Sequence, residues 1–324
     1  MERIPVIDLT PAREGDLPAR QAVAREMDWA CREIGFFTIA GHGVPVAVMD
    51  DLREQAHEFF ALPLDAKRKA IHPVAGTPRG YRAMGIEALA AGNEGATPPD
   101  LKEFYHFGRE SWPDEPYFTG AEGRRYFIPN LWPAHPAGFA AAAARYYGEM
   151  ENVAALMMRL TALALERDEH FFDDKIDRHI TAMRLNFYPE QTESPQPGQL
   201  RAGAHTDFGV FTILNGENVP GGLQVRTKAG DWIDVETDPA AFVVNIGDLL
   251  MRWTNDRWLS NMHRVVNPPA TVAARAKRLS IAFFQQPNYD ARIECIAPPG
   301  KATYPPILSG EYRDMKYRQT AVAV

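Results

Sequence analysis

Three residues in the C-terminal half of this 324-residue chain could bind a metal ion. His205 and Asp207 are two positions apart, and His263 follows much later. If Ala204 to Leu214 forms a strand, side chains two apart project from one face, so the imidazole and the carboxylate can converge. A second histidine from a distant strand would complete a face of two histidines and one carboxylate. Such a face leaves coordination positions open and is typical of non-haem Fe(II) sites that activate O₂.

A lone His-x-Asp pair also occurs as a surface hydrogen bond, so the rest of the chain has to support a metal site. In the segment from Arg278 to Phe284, apolar residues alternate with Arg278 and Ser280, which share the opposite face. An arginine that points into an apolar interior is costly unless it meets an anion. Its planar fork suits a carboxylate, and the Ser280 hydroxyl could add a third hydrogen bond. Alternatively, Arg278 pairs with a structural Asp or Glu. The histidines of the expected metal site favour the other interpretation, in which Arg278 binds the carboxylate of a cosubstrate.

These motifs carry a family resemblance. His205-x-Asp207, His263 and Arg278-x-Ser280 follow one another in the order seen in the Fe(II)/2-oxoglutarate-dependent dioxygenases of the isopenicillin N synthase-like superfamily. Two upstream elements also resemble that family, Asn186-Phe187-Tyr188-Pro189 and the segment from Gly35 to Val44. The similarity runs from about Ile4 to about Pro287, which is nearly the whole chain.

The resemblance implies that His205, Asp207 and His263 bind Fe(II), and that 2-oxoglutarate binds the metal and extends its distal carboxylate to Arg278 and Ser280. Asn186 and Tyr188 share a strand face and could contact this cosubstrate. With O₂ as the other cosubstrate, the implied reaction hydroxylates or desaturates an aliphatic carbon of a small soluble metabolite and releases succinate and CO₂.

Two alternatives remain open on the sequence. Isopenicillin N synthase itself uses Fe(II) and O₂ without 2-oxoglutarate, so that Arg278 and Ser280 would bind the carboxylate of the substrate. The second alternative is a non-catalytic jelly-roll binding protein whose metal site is vestigial or filled by zinc.

Substrate contacts are expected from a segment over the mouth of the site. Residues 73–116 are rich in Gly, Pro and Ala and show little periodicity, which is typical of functional loops. This segment resembles the family's segment over the active-site mouth, although it could equally be a structural flap. The expected substrate contacts are Tyr81, Arg82, Phe104 and Tyr105, with Arg82, Lys102 and Arg184 as partners for an acidic group and Phe211 and Phe284 as cavity walls.

Helical periodicity dominates the first half of the chain and a period of two the second half. Helices are expected over Leu17 to Ile34, Val46 to Leu62 and Ala134 to about Arg167, with a buried strand from Phe36 to Ile39. From Ile180 onward, short strands alternate with glycine-rich turns. The sequence predicts an α+β fold, in which a double-stranded β-helix (jelly roll) is braced by N-terminal and central helices.

The expected regions form one compact structural unit. They are an N-terminal dioxygenase region with the flap (1–115), a helical brace (116–178), the catalytic jelly-roll core that binds Fe(II) and 2-oxoglutarate (179–290) and a C-terminal extension (291–324).

Composition limits the possible partners. The net charge of −7 and the pI near 5.8 argue against a nucleic-acid surface. The long apolar stretch from Ala137 to Leu165 contains several charged residues, so no membrane partner is expected. Cys31 and Cys295 show no paired spacing and are read as reduced thiols of a cytoplasmic protein. The expected protein is a monomer or homodimer that acts on a small molecule of secondary metabolism.

Overall fold

The computed structural model describes residues 3–90 and 97–320. Its first elements are β1 (Val6–Asp8), α1 (Thr10–Glu14), α2 (Leu17–Glu33), β2 (Phe36–Ala40), α3 (Val46–Ala61), α4 (Leu64–Arg68), β3 (Gly80–Arg82) and β4 (Glu103–Gly108). Helix α2 begins where the Asp16 side chain accepts a hydrogen bond from the Ala19 N–H, a common N-cap. It ends before Gly35, whose φ of +69° is left-handed and suits glycine. The predicted helix and the buried strand that follows it are confirmed.

The remaining elements follow in chain order. They are α5 (Pro116–Thr119), a 3₁₀ turn (Gly123–Arg125), α6 (Phe139–Ala164), α7 (Asp173–Ile176), β5 (Ala182–Tyr188), β6 (Ala202–His205), β7 (Phe211–Gly216), β8 (Leu223–Arg226), β9 (Trp232–Asp234), β10 (Phe242–Ile246), α8 (Asp248–Trp253), β11 (His263–Val265), a 3₁₀ turn (Ala273–Arg275), β12 (Arg278–Phe284), β13 (Arg292–Ile293), β14 (Ile307–Leu308) and α9 (Ser309–Thr320). No helix in these two described stretches is long and apolar enough to cross a membrane.

Two sheets form the centre of the molecule. The larger has the order β1-β2-β10-β7-β12-β5-β4-β3, and the smaller has the order β6-β11-β8-β9. All neighbouring strands are antiparallel except β1 and β2. A hydrophobic cluster joins the two sheets, with Phe36, Tyr188 and Val243 from the larger and Leu223 and Val265 from the smaller. The predicted jelly-roll core is confirmed.

Helices cover the other face of the larger sheet. The main core combines residues of α2, α3 and α6 with the outward side chains of the sheet strands, among them Leu185, Leu279, Ile281 and Phe283. Each central strand of the larger sheet is therefore buried on both faces. One face packs on the helices, and the other faces the smaller sheet.

The prediction of one strand from Ala204 to Leu214 is wrong. Strand β6 ends at His205 in the smaller sheet, and β7 begins at Phe211 in the larger one. The intervening residues cross from one sheet to the other. Alternation of side chains cannot reveal such a crossing, because both strands have the same period of two.

The expectation of an irregular flap over residues 73–116 is also corrected. This segment contains β3 and β4, which extend the larger sheet beyond β5. All six residues of β4 are buried, so the strand has no alternation of polar and apolar residues that the sequence could display. Residues 91–96 of the segment lie outside the described residues.

Candidate active site

A cavity of about 900 Å³ lies between the two sheets. Its volume is within the range of small-molecule sites. Most of the predicted site residues line it, namely Arg82, Lys102, Phe104, Arg184, Asn186, Tyr188, His205, Asp207, His263, Arg278, Ser280 and Phe284. The fold thus brings the expected metal, cosubstrate and substrate residues into one cavity.

The three expected metal ligands converge. His263 is paired with His205 across β11 and β6, and a shift of register in β11 follows directly after His263. The His205 Nε2 atom lies 3.9 Å from Asp207 Oδ1, and His263 Nε2 lies 3.7 Å from Asp207 Oδ2. One ligand atom from each of the three residues lies within 4.8 Å of the others. The sequence predicts this convergence from a shared strand face of His205 and Asp207, and that explanation is wrong. Asp207 is not on the strand, since it follows β6 in the crossing between the sheets.

Backbone carbonyls orient both imidazoles. His205 Nδ1 lies 2.8 Å from the Gly203 carbonyl, and His263 Nδ1 lies 3.3 Å from the Asn261 carbonyl. Since a carbonyl only accepts, each Nδ1 carries a proton, and each Nε2 atom is left to face Asp207. Burial lowers the pKa of His205 to about 3, and His263 adds to this effect. His205 therefore presents a neutral imidazole nitrogen, as a metal ligand requires.

Asp207 is ionised. Burial alone would raise the pKa of Asp207, but the two imidazoles and two hydrogen bonds lower it. These bonds come from the Thr212 hydroxyl at 2.6 Å and the Asn245 amide at 2.8 Å, both to Oδ2. One carboxylate and two imidazoles form a donor set that fits Fe(II).

Thr212 and Asn245 were not predicted. Their role depends on β7 and β10 lying side by side, where the two residues face each other. A weak signal was present, because Asn245 interrupts the apolar run Phe-Val-Val-Asn-Ile and a buried amide needs a partner. Partners of this kind orient metal ligands and tune their basicity.

We expect Asn245→Ala and Thr212→Val each to weaken Fe(II) affinity by about 10- to 100-fold, because the carboxylate loses a hydrogen bond that holds it towards the imidazoles. Titration of the apoprotein with Fe(II) under anaerobic conditions measures this. Thr38→Val is the matched control, since Thr38 is buried in β2 of the same sheet and is not part of the cavity wall. Equal Fe(II) affinity in all variants would contradict this role.

A second set of polar residues lies on the neighbouring strands β12 and β5. The register pairs Arg278 with Tyr188 and Ser280 with Asn186, so that four cavity residues form two adjacent cross-strand pairs. Arg278 is only 2% exposed, and burial lowers its pKa. Its Nε donates to the Glu217 carbonyl at 3.2 Å, and in the described parts of the chain it forms no ion pair. Among those residues, Arg278 therefore has no structural Asp or Glu as an ion-pair partner, which the alternative interpretation requires.

The space around Arg278 is shaped for its guanidinium. A Cβ atom at Gly216, on the neighbouring β7, would lie 2.6 Å from Arg278 Nη2. Any side chain at that position would displace the guanidinium. A second arginine, Arg201, is fully buried nearby, donates to the carbonyls of Pro220, Gly221 and Ala276, and lies 5.8 Å from the Tyr188 ring. The pocket thus combines strong positive charge with hydroxyl and amide groups, which suits a carboxylate.

Two of the expected substrate-side cations are already paired. Arg184 and Lys102 both contact the Glu87 carboxylate, at 3.0 and 2.8 Å, and Lys102 also lies 3.3 Å from Asp100. Burial alone would raise the pKa of Glu87, but Arg184 and Lys102 lower it strongly. These four charges compensate one another within the cavity wall, so Arg184 and Lys102 are not open partners for an acidic group. Glu87 was missed because loop residues show no periodicity.

Aromatic residues flank this network. The Arg184 guanidinium lies 4.2 Å from the Phe104 ring and 5.7 Å from the Phe284 ring. Both rings belong to the cavity wall. They provide flat apolar surface beside the charged network.

The structure corrects three of the expected substrate contacts. Tyr81, Tyr105 and Phe211 are fully buried in the main core and do not belong to the cavity wall. The hydroxyl of Tyr81 donates to Glu103, and that of Tyr105 donates to the Leu131 carbonyl. The reason is strand parity. Neighbours along a strand face opposite sides, so the residues next to these three point to the cavity while these three point to the helices.

The C-terminal helix also contributes to the cavity, which the sequence did not predict. Arg313, Lys316 and Tyr317 of α9 line its wall. Lys316 forms a 2.6 Å ion pair with Asp248, and the Tyr317 ring packs against Phe208 at 5.9 Å. Helix α9 therefore lies over the segment that carries Asp207.

Sequence models of known families match most of the chain. The model described as the 2OG-Fe(II) oxygenase superfamily matches residues 180–287. This range includes the three converging residues His205, Asp207 and His263. The model described as non-haem dioxygenase in morphine synthesis N-terminal matches residues 4–135.

Individual relatives extend over nearly the full length. The 2-oxoglutarate-Fe(II) type oxidoreductase hxnY of Emericella nidulans is 34% identical, over 98% of this chain and 90% of its own. The homoarginine-6-hydroxylase 2-ODD-233 of rice (Oryza sativa subsp. japonica) is 32% identical, over 95% of this chain and 94% of its own. The crystal structure of a full-length Neurospora crassa protein in complex with alpha-KG superposes with a TM-score of 0.85 at 31% identity, covering 98% of this chain and 96% of that one. This chain belongs to the 2OG-Fe(II) oxygenase superfamily.

Proposed function

We propose that this enzyme, an Fe(II)- and 2-oxoglutarate-dependent dioxygenase, hydroxylates an aliphatic carbon of a small metabolite with His205, Asp207 and His263 as its iron ligands. The supporting observation is that a face of two histidines and one carboxylate shares a cavity with an arginine that has no ion pair in the described residues. The full-length relatives named above support the same reaction class.

Two ends of the cavity have different roles. Along β12, residues two apart are about 7 Å from each other on the cavity face. Arg278 and Ser280 form one end, where they bind the distal carboxylate of 2-oxoglutarate together with Tyr188. Phe284 forms the other end and pairs with Thr212, which holds Asp207. The substrate accordingly lies towards Phe284, on the far side of the iron ligands from Arg278.

Bound Fe(II) supplies the oxidising chemistry, in which one O₂ molecule converts 2-oxoglutarate into succinate and CO₂ and oxidises the substrate. The protein residues prepare this reaction. Asp207 and the imidazoles of His205 and His263 would hold the metal, and Arg278 would neutralise the distal carboxylate. Ala282 is small and lies between Ser280 and Phe284 on the same face, which leaves space opposite the iron ligands.

Stoichiometric product formation tests the cosubstrate. We expect one succinate for each substrate oxidised, and no substrate oxidation without 2-oxoglutarate, because Arg278 is built to hold that cosubstrate. The measurement combines succinate release with product masses over a panel of small metabolites. A gain of one oxygen indicates hydroxylation and a loss of two hydrogens indicates desaturation. Substrate oxidation with O₂ and Fe(II) alone would instead establish the isopenicillin N synthase-like alternative.

We further propose a cytoplasmic enzyme of secondary metabolism, active as a monomer or homodimer. The two free cysteines support a reducing compartment, because disulfides are rare there. The grouping of His205, Asp207 and His263 in one cavity with Arg278 supports an enzyme over the hypothesis of a vestigial binding protein.

A further inference from the structure

Two arginines of the cavity wall, Arg82 and Arg313, form no ion pair with any residue in the described parts of the chain. The other cations of the cavity wall have partners. Arg184 and Lys102 form ion pairs with Glu87, and Lys316 forms one with Asp248. Arg278 is assigned to the cosubstrate under the proposed function. Among the described residues, the positive charges of Arg82 and Arg313 therefore remain without a carboxylate partner in the cavity wall. The chain as a whole nevertheless carries a net charge of −7.

Arg313 is the better placed of the two arginines. Its guanidinium lies near two tyrosine rings, 5.4 Å from the centroid of Tyr126 and 5.1 Å from that of Tyr317. Cation–π contacts of this kind restrict the position of the group and leave its N–H donors available. By contrast, Arg82 already donates to the Thr77 carbonyl.

Helix α9 links Arg313 with the segment that carries Asp207. Lys316, about one helical turn (roughly 5 Å) along α9, is paired with Asp248. The Asp248 N–H donates to the Asp207 carbonyl at 2.8 Å. An anionic group bound by Arg313 would therefore belong to a small molecule whose other end lies near the iron ligands.

A buried histidine belongs to the same cavity wall. His106 is on β4 between Arg184 and Gly80, is 5% exposed and belongs to the cavity wall. Burial, followed by the positive charges of Arg184, Arg79 and Arg313, lowers its pKa well below the usual value. His106 is thus a neutral group, and its ring N–H can donate to an anion without adding charge.

We propose that the primary substrate carries a carboxylate, which Arg313 binds at the outer end of the cavity while His106 donates a hydrogen bond beside it. This inference rests on the proposed function, because it assigns one end of the same substrate. A carboxylate fits the flat, two-donor edge of a stacked guanidinium.

Matched pairs of ligands test the proposal. Small aromatic and aliphatic carboxylic acids and their primary amides are titrated into the anaerobic holoenzyme with Fe(II) and 2-oxoglutarate, and binding is measured by calorimetry. We expect acids to bind at least about 10-fold more tightly than the corresponding amides, since a charge-assisted pair in a partly buried site is lost in the amide. Arg313→Met should remove this preference, and Arg313→Lys should restore part of it.

Arg318→Met is the matched control, because Arg318 is exposed on the same helix and is not part of the cavity wall. It should retain the acid preference and the wild-type rate of succinate release. Equal binding of acids and amides, no binding of either, or an acid preference that survives Arg313→Met would each overturn the inference. Absence of any 2-oxoglutarate conversion by the wild-type enzyme would instead contradict the proposed function.

Discussion

Replacement of Asp207 by alanine is expected to reduce Fe(II) affinity and substrate-dependent succinate formation by more than about 100-fold. Removing a partner of a metal ligand already costs about 10- to 100-fold in metal affinity or activity, and removal of the ligand itself should exceed this. Asp207 is also the only carboxylate among the three converging residues, so the variant leaves only two imidazoles to hold a dication. Metal analysis after anaerobic loading and a succinate assay measure the two effects.

Asp234→Ala serves as the control, because Asp234 is exposed on β9 of the smaller sheet. It should bind iron and turn over like the wild type. If Asp207→Ala retains stoichiometric iron and its activity, the iron ligands have been assigned wrongly. If it retains activity with no iron bound, the oxygenase mechanism fails for this chain.

Replacement of Arg278 by methionine is expected to raise the KM for 2-oxoglutarate by about 10- to 100-fold, which corresponds to the loss of charge-assisted hydrogen bonds worth about 1.5–3 kcal/mol. Methionine is apolar and of similar length, so the buried site remains filled. The KM of Arg278→Lys for 2-oxoglutarate should lie between those of the wild type and of Arg278→Met, because a lysine retains the charge without the planar fork. Initial rates of succinate formation against 2-oxoglutarate concentration measure the change.

Lys277→Met is the neighbouring control, since Lys277 is exposed just before β12. Its KM for 2-oxoglutarate should equal that of the wild type. The iron content of Arg278→Met should stay near one per chain, which would distinguish this variant from those of the ligands. A raised KM for the primary substrate with an unchanged KM for 2-oxoglutarate would assign Arg278 to the substrate carboxylate instead.

The regular strands of the core were predictable from local pattern. Arg278 to Phe284 alternates in the sequence, and the structure places Arg278 and Ser280 on the cavity face with Leu279 and Ile281 in the core. The same parity rule, applied to Tyr81 and Tyr105, would have directed these two side chains to the helices. The sequence does not reveal β4 as a strand, because β4 is buried on both faces and shows no alternation of polar and apolar residues.

The sequence by itself determined the ligand types, the order of the motifs and the faces of strands such as β12, because these depend on residue identity and on local periodicity. Only the tertiary structure decided that Asp207 meets the histidines from the crossing between two sheets, with Thr212 and Asn245 to hold it. The tertiary structure also decided that Glu87 neutralises Arg184 and that α9 brings Arg313 to the cavity. Apart from those of Asp207 with His205 and Thr212, these contacts join residues far apart in the chain. Their geometry follows from strand order and packing, which no local pattern encodes.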